Sequence, residues 1–120
     1  EPHLLKGVRK LMKLGPKLVV VKRGEFGACC FTEKGHYAIP AFLLDNVQDP
    51  TGAGDSFAGG FLGYLSRFDK PKPKDIQEAV LRGSVVASFN VQSFSVNRLA
   101  ALKASEIQQR LAEYRKMLWV

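Results

Sequence analysis

The sequence predicts an α/β fold of the doubly wound kind, and three stretches carry that reading. Leu4, Leu5, Val8, Leu11, Met12 and Leu14 recur at helical spacing, and Gly15-Pro16 stops the pattern just before the β-branched run Leu18-Val19-Val20-Val21. A short, continuous apolar run of this kind reads as a strand buried on both faces of a parallel sheet. Gly24 and Gly27 then follow the carboxyl end of that strand, where open α/β sheets place their ligands. A second glycine-rich turn, Asp49-Pro50-Thr51-Gly52-Ala53-Gly54-Asp55-Ser56, opens a helix.

Each element follows from its residues. Lys6, Arg9, Lys10 and Lys13 occupy the polar side of the first helix. Beyond the glycine loop, Ala28–Phe31 and His36–Ile39 flank Lys34-Gly35 and read as a hairpin. Residues 40–47 lead to the second glycine turn, where Pro50 biases Asp49 toward an extended conformation. Phe57, Phe61, Leu62 and Leu65 give the following helix an apolar repeat that runs to about Arg67. Alternating Pro and Lys over residues 68–74 cannot continue it, and Asp75 caps a further helix. Ile76, Ala79, Val80, Gly83, Val86, Ala87 and Val91 form its packing side, with Gly83, Ser84 and Ala87 leaving room there. A last amphipathic helix begins at Ser105-Glu106 and runs through Ile107, Leu111, Tyr114 and Leu118. No stretch repeats another.

Composition narrows the function classes. A chain of 120 residues with 46% hydrophobic content builds one modest domain. The net charge of +7 raises nucleic-acid binding, but the basic residues are spread along the chain with no aromatic-interleaved patch, so solvated faces account for most of them. Cys29 and Cys30 are adjacent and point to opposite faces of a strand, which leaves neither a disulfide framework nor a Cys-x-x-Cys site. His3 and His36 have no matching ligands for a metal. With no long apolar span or signal peptide, a membrane role is not expected and a cytoplasmic protein is the default.

The turn at 49–60 is the stretch that carries chemistry. Gly52 and Gly54 let the backbone take strained angles and approach a ligand closely, and the amides of Gly52 to Asp55 fall at a helix N-terminus, an anion site. A Walker loop is excluded, because Asp55 and Ser56 follow Gly54 where Lys and Ser or Thr are required. A dinucleotide fingerprint is excluded as well, since Phe57 stands where its third glycine belongs. A carboxylate beside an anion hole repels a phosphate that is merely bound. It makes sense facing a substrate hydroxyl, because phosphoryl transfer asks for electrostatic support of the moving group and orientation of the attacking oxygen. The same residues also fit a plain helix cap and turn.

The run Asp49-Pro-Thr-Gly-Ala-Gly-Asp55-Ser-Phe-Ala-Gly-Gly60-Phe resembles the C-terminal signature of the ribokinase-like (PfkB-type) carbohydrate and nucleoside kinases. That resemblance implies a three-layer, doubly wound ribokinase-like sheet, of which residues 1–120 are the C-terminal portion. The lid, most substrate contacts and the family's Asn-x-x-Glu magnesium motif would lie in an N-terminal part that this sequence does not contain. It implies Asp55 as catalytic base and the amides of Gly52, Ala53 and Gly54 as the anion hole. Gly24, Gly27 and Ala28 match the family's ATP loop, with Lys22 in place of a frequent Thr, and Ser84 lies on the helix that runs beside adenine in the family. Asp49, Thr51, Asn90, Ser93 and Ser95 correspond to a monovalent-cation (K+) site, although Ser93-Phe94-Ser95 replaces the usual glycine. The expected activity is transfer of the γ-phosphoryl group of ATP, with Mg2+, to a hydroxyl of a small sugar or nucleoside. The alternatives are a non-catalytic nucleotide-binding or regulatory module of the same fold and a basic nucleic-acid binder. Apolar surface left on the strand at 18–21 makes association, as in a homodimer, a further expectation.

Overall fold

The computed structural model describes residues 2–15, 17–22, 27–43, 53–91 and 103–118. They fall into two compact units, Glu1–Pro40 and Ala41–Val120.

The first unit holds helix α1 (Pro2–Lys13) and strands β1 (Leu18–Lys22), β2 (Ala28–Thr32) and β3 (Gly35–Ile39), in the sheet order β1-β2-β3. Both pairings are antiparallel, with Lys22 opposite Ala28 and Thr32 opposite Gly35. This corrects the parallel, doubly buried strand expected at Leu18–Val21, whose residues are only half-buried and pair antiparallel with β2. The reason is connection length: five residues return the chain from β1 to β2, and a parallel neighbour needs a crossover of a dozen or more. An apolar run signals burial without signalling strand direction. The hairpin expected at 28–39 is present, and its turn is held by the Thr32 hydroxyl, which donates to the Gly35 carbonyl (3.0 Å) and accepts from the Lys34 amide (3.2 Å).

Burial in this unit centres on β2, where Ala28, Cys30 and Phe31 are buried, together with Val8 of α1. Leu11 and Leu14, expected on the buried stripe of α1, are exposed, because among the described residues of the unit only the small sheet is present to cover that helix. Both cysteines are free thiols, and burial pushes the Cys30 thiol up to about 11, so it stays protonated and unreactive at neutral pH.

The second unit is helical: α2 (Ala53–Leu65), α3 (Pro73–Val91) and α4 (Ala104–Leu118). Asp75 is not the cap residue expected of it. Pro73 starts the helix, a position suited to its fixed φ, so Asp75 is the third helical residue and its carboxylate accepts from the Lys72 amide (2.9 Å). Glu106 accepts from the Lys103 amide in the same way at the start of α4 (3.1 Å). The core is Phe57 and Phe61 of α2, stacked at 6.0 Å, with Ala79, Val80, Val85 and Phe89 of α3 and Leu111 and Tyr114 of α4. Leu62, expected on the same apolar face, is 59% exposed.

Polar contacts tie the three helices together. The Tyr64 ring receives the guanidinium groups of Arg67 and Arg82, Glu78 pairs with Arg82 and with Arg115 of α4, and Arg110 lies over the Phe89 ring while donating to Ser88 Oγ. Phe42 meets Tyr114 edge-on at 5.5 Å, which fixes the segment before the glycine turn against α4.

Helices α2 and α3 approach closely where both carry glycine. A Cβ on Gly83 would stand 2.8 Å from the Phe57 carbonyl oxygen and 3.0 Å from its ring, and one on Gly60 would stand 3.1 Å from the Arg82 carbonyl. Gly83→Ala is therefore expected to cost about 1–3 kcal/mol through forced separation of the helices, read as a lower urea midpoint at unchanged slope. An unchanged midpoint would show that the helix pair absorbs a methyl group without moving apart.

Candidate active site

Ala53 is the first residue of α2, Gly54 the second and Asp55 the third. Their amides belong to the first turn, whose N–H groups have no acceptor inside the helix, and they carry the positive end of its dipole. Gly54 has helical backbone, so the strained angles expected there are not its reason for being glycine. What remains is the close approach that a missing side chain permits.

Asp55 is the only acidic residue of that first turn and its side chain is exposed. At the third helical position a carboxylate can close a capping box, as those of Asp75 and Glu106 do. The difference lies in burial: Asp75 is 8% exposed, whereas Asp55 stands open to solvent beside the helix start. An accessible carboxylate next to first-turn amides can accept a proton from a hydroxyl while those amides face the group that the hydroxyl attacks.

In the first unit, Lys22, Gly27 and Ala28 come together at one end of the β1–β2 hairpin. Lys22 is exposed at the end of β1, and Ala28 is buried opposite it. Gly27 has φ 99°, and a Cβ there would lie 2.0 Å from the Ile39 carbonyl oxygen and 2.8 Å from Pro40 Cα. The demand for glycine thus comes from β3, which runs against the loop's return. Gly27→Ala should destabilise the unit by at least about 2 kcal/mol, combining a left-handed backbone with a clash against main chain. Chemical denaturation of the purified variant checks this, and a midpoint equal to that of the parent would show that the Ile39–Pro40 backbone moves aside freely.

Ser84 lies half-buried on α3 and shares a side-chain hydrogen bond with Tyr114. Burial raises the Tyr114 phenol above its usual range, and the Ser84 bond opposes that rise. The sequence reading placed Tyr114 on an apolar stripe and missed this bond; a phenol on such a stripe is the signal, since a buried tyrosine hydroxyl needs a partner. Gly24, Asp49, Thr51, Gly52, Ser93 and Ser95 lie outside the described residues, as do the side chains of Ala53 and Asn90. Among the described residues no three His, Cys, Asp or Glu side chains gather as a metal cluster, and no helix is long and apolar enough to cross a membrane.

Residues 1–102 match the family model described as pfkB family carbohydrate kinase. The 5-dehydro-2-deoxygluconokinase of Geobacillus kaustophilus (strain HTA426) is 31% identical over 107 residues, which is 89% of this chain and 30% of the relative. Among solved structures, the aminoimidazole riboside kinase of Salmonella enterica, complexed with aminoimidazole riboside and an ATP analog, superposes with a TM-score of 0.77. It is 27% identical, and the match covers 90% of this chain and 36% of that one. The ribokinase of Thermotoga maritima gives a TM-score of 0.74 at 29% identity, over 89% of this chain and 34% of its own. The chain therefore spans about a third of the length of the kinases it matches, and it shares their ribokinase-like α/β fold. By the family match over most of its length, with the first turn of α2 and its exposed Asp55 inside the matched region, this chain belongs to the pfkB family of carbohydrate kinases.

Proposed function

We propose that residues 1–120 are the C-terminal, phosphoryl-handling part of an ATP-dependent kinase whose acceptor is a hydroxyl of a small sugar or nucleoside. The observation that carries this reading is the exposed Asp55 carboxylate in the first turn of α2, beside the amides of Ala53 and Gly54. Asp55 acts as the base that orients and deprotonates the acceptor hydroxyl. The amides of Gly52, Ala53 and Gly54 hold the negative charge of the transferred group, and the helix dipole adds to their field.

The described residues fit a phosphate group, because the first turn offers amides and no bulky side chain at Gly54. ATP supplies the group that is transferred. Lys22, Gly24, Gly27 and Ala28 belong to the loop that would receive the nucleotide, with Lys22 as a cationic member. Ser84 can serve adenine only in addition to its bond with Tyr114. The described residues offer Mg2+ no cage of their own, and Mg2+ is commonly held by one or two carboxylates together with substrate phosphates. Asp49, Thr51, Asn90, Ser93 and Ser95 are the set proposed for K+. The family match and the ATP analog in the Salmonella kinase support the choice of nucleotide.

Gly54→Val tests the anion hole. In a complete kinase carrying this segment, valine at the second helical position should lower kcat about ten-fold or more, since its side chain occupies the space the phosphate needs. Valine has the better helix propensity of the two by a few tenths of a kcal/mol, so thermal stability should not fall. Normal turnover would show that this turn does not approach the transferred group.

A further inference from the structure

The end of the helical unit remote from Asp55 gathers positive charge. Residues 66–72 connect the end of α2 to the start of α3, and α4 joins them there, because Arg115 in its last turn pairs with Glu78 of α3. Arg67, Lys70, Lys72, Lys74, Arg82 and Arg115 share this end with the carboxylates of Asp69, Asp75 and Glu78. Two of those carboxylates are already engaged. Asp75 is buried and holds the Lys72 amide, and Glu78 bridges Arg82 (3.2 Å) and Arg115. Arg67, Lys70, Lys72 and Lys74 are exposed, and among the described residues none of the four forms an ion pair.

The cations stand on fixed main chain. Pro71 and Pro73 bracket Lys72, whose amide donates to the Asp75 carboxylate (2.9 Å) and whose carbonyl accepts from the amides of Asp75 (2.9 Å) and Ile76 (3.1 Å). The guanidinium groups of Arg67 and Arg82 lie 5.0 and 4.5 Å from the centre of the Tyr64 ring. A guanidinium held against a ring keeps an N–H edge for a planar anion. Glu78 is the fold's own example, one carboxylate shared by two of these groups. Like charges fixed close together repel, and an anion that settles among them relieves that repulsion with little ordering left to do.

We infer that this end of the helical unit docks an Asp/Glu-rich segment of another protein. Single-stranded nucleic acid fits less well, because it stacks bases on open aromatic faces, and Tyr64 already carries two guanidinium groups and packs against Phe68 at 5.4 Å. An anionic bilayer also asks for apolar anchors, and no large apolar side chain is exposed over residues 64–82. A second copy of this chain brings the same net charge of +7 and is repelled. This surface needs no catalytic role for Asp55. The 13 residues of α2 span about 20 Å, so a partner bound here leaves the first turn of α2 uncovered.

The test measures fluorescence anisotropy of a labelled peptide of alternating Glu and Ser titrated with the 120-residue chain. Saturable binding is expected, weakening as salt shortens the reach of exposed charges to about 8 Å at physiological ionic strength. Lys70→Glu, Lys72→Glu and Lys74→Glu together should weaken it about ten-fold or more. The same reversal at exposed Lys6, Lys10 and Lys13 of α1 changes the net charge equally and should alter binding less than about two-fold. Both variants should keep the parent's thermal midpoint, since these side chains have no partner among the described residues to lose. If the reversal at 70–74 disturbs folding, Lys→Gln at the same three positions decides, with a loss of about three-fold expected. No binding, or equal losses in the two charge-reversed variants, would overturn the inference, the latter by reducing it to net charge. Tighter binding of an oligothymidylate of equal charge would overturn it in favour of nucleic acid. Tighter binding to vesicles of phosphatidylcholine and phosphatidylserine would overturn it in favour of a lipid surface.

Discussion

Asp55→Asn is expected to lower kcat by about a hundred-fold or more in a complete kinase that carries this segment, with ATP affinity kept within a few-fold. Asparagine preserves the size of the side chain and serves about as well as aspartate at a helix start, so α2 should form normally. What disappears is the negative charge and the ability to accept a proton from the acceptor hydroxyl. An interaction made chiefly in the transition state lowers kcat and kcat/KM together, and that paired loss distinguishes a base from a binding contact. The exposure of Asp55 makes a large fall in stability unexpected, in contrast to Asp75, whose buried carboxylate holds the Lys72 amide. Steady-state kinetics with the best acceptor, alongside a thermal midpoint, checks both halves. Near-normal kcat in the variant would remove Asp55 from the role assigned to it.

The second large effect concerns the 120-residue chain assayed by itself. It is expected to show no measurable acceptor-dependent release of ADP with pentoses, hexoses or nucleosides, while binding ATP weakly. Holding two reactants in attacking geometry contributes up to about 7–11 kcal/mol of the barrier reduction, and one carboxylate beside a helix start cannot supply it. The matched kinases devote about two thirds of their length to residues that this chain lacks. In the first unit, β1 lies at one edge of the described sheet with Leu18 to Val21 half-buried, a surface suited to further pairing. A coupled ADP-release assay across the three acceptor classes is the measurement. Robust turnover by the chain alone would mean that it already contains an acceptor site.

Much of the secondary structure and the candidate chemistry is legible in the residues because those features are local. Alternation around Lys34-Gly35 specifies the hairpin, Gly15-Pro16 stops α1, and Gly-Ala-Gly-Asp at 52–55 opens α2 with a carboxylate in its first turn. Elimination of other phosphate loops needs only the identities of Asp55, Ser56 and Phe57. These signals depend on spacing and backbone preference, which neighbours along the chain decide.

Tertiary structure decided what depends on neighbours in space. The apolar run at 18–21 could not reveal its antiparallel partner, because burial makes the same demand on a strand in either direction. Gly27 was matched to a nucleotide loop by resemblance, and the Ile39 carbonyl 2.0 Å from its absent Cβ gives it a structural cause as well. Gly83 was read as room for packing, and the Phe57 backbone fills that room. Leu62 shares the helical repeat of Phe57 and Phe61 but remains exposed, since periodicity marks an apolar side without saying which element covers it. Ser84 looked available to a ligand until Tyr114, thirty positions later in the chain, was seen to share a hydrogen bond with it. The sequence by itself determined which groups are candidates for phosphoryl chemistry, because the signature that marks them is written in adjacent residues. Only the folded chain decided which glycines are held by their own fold and which face of α2 is left open, because those are properties of distances between segments far apart in sequence.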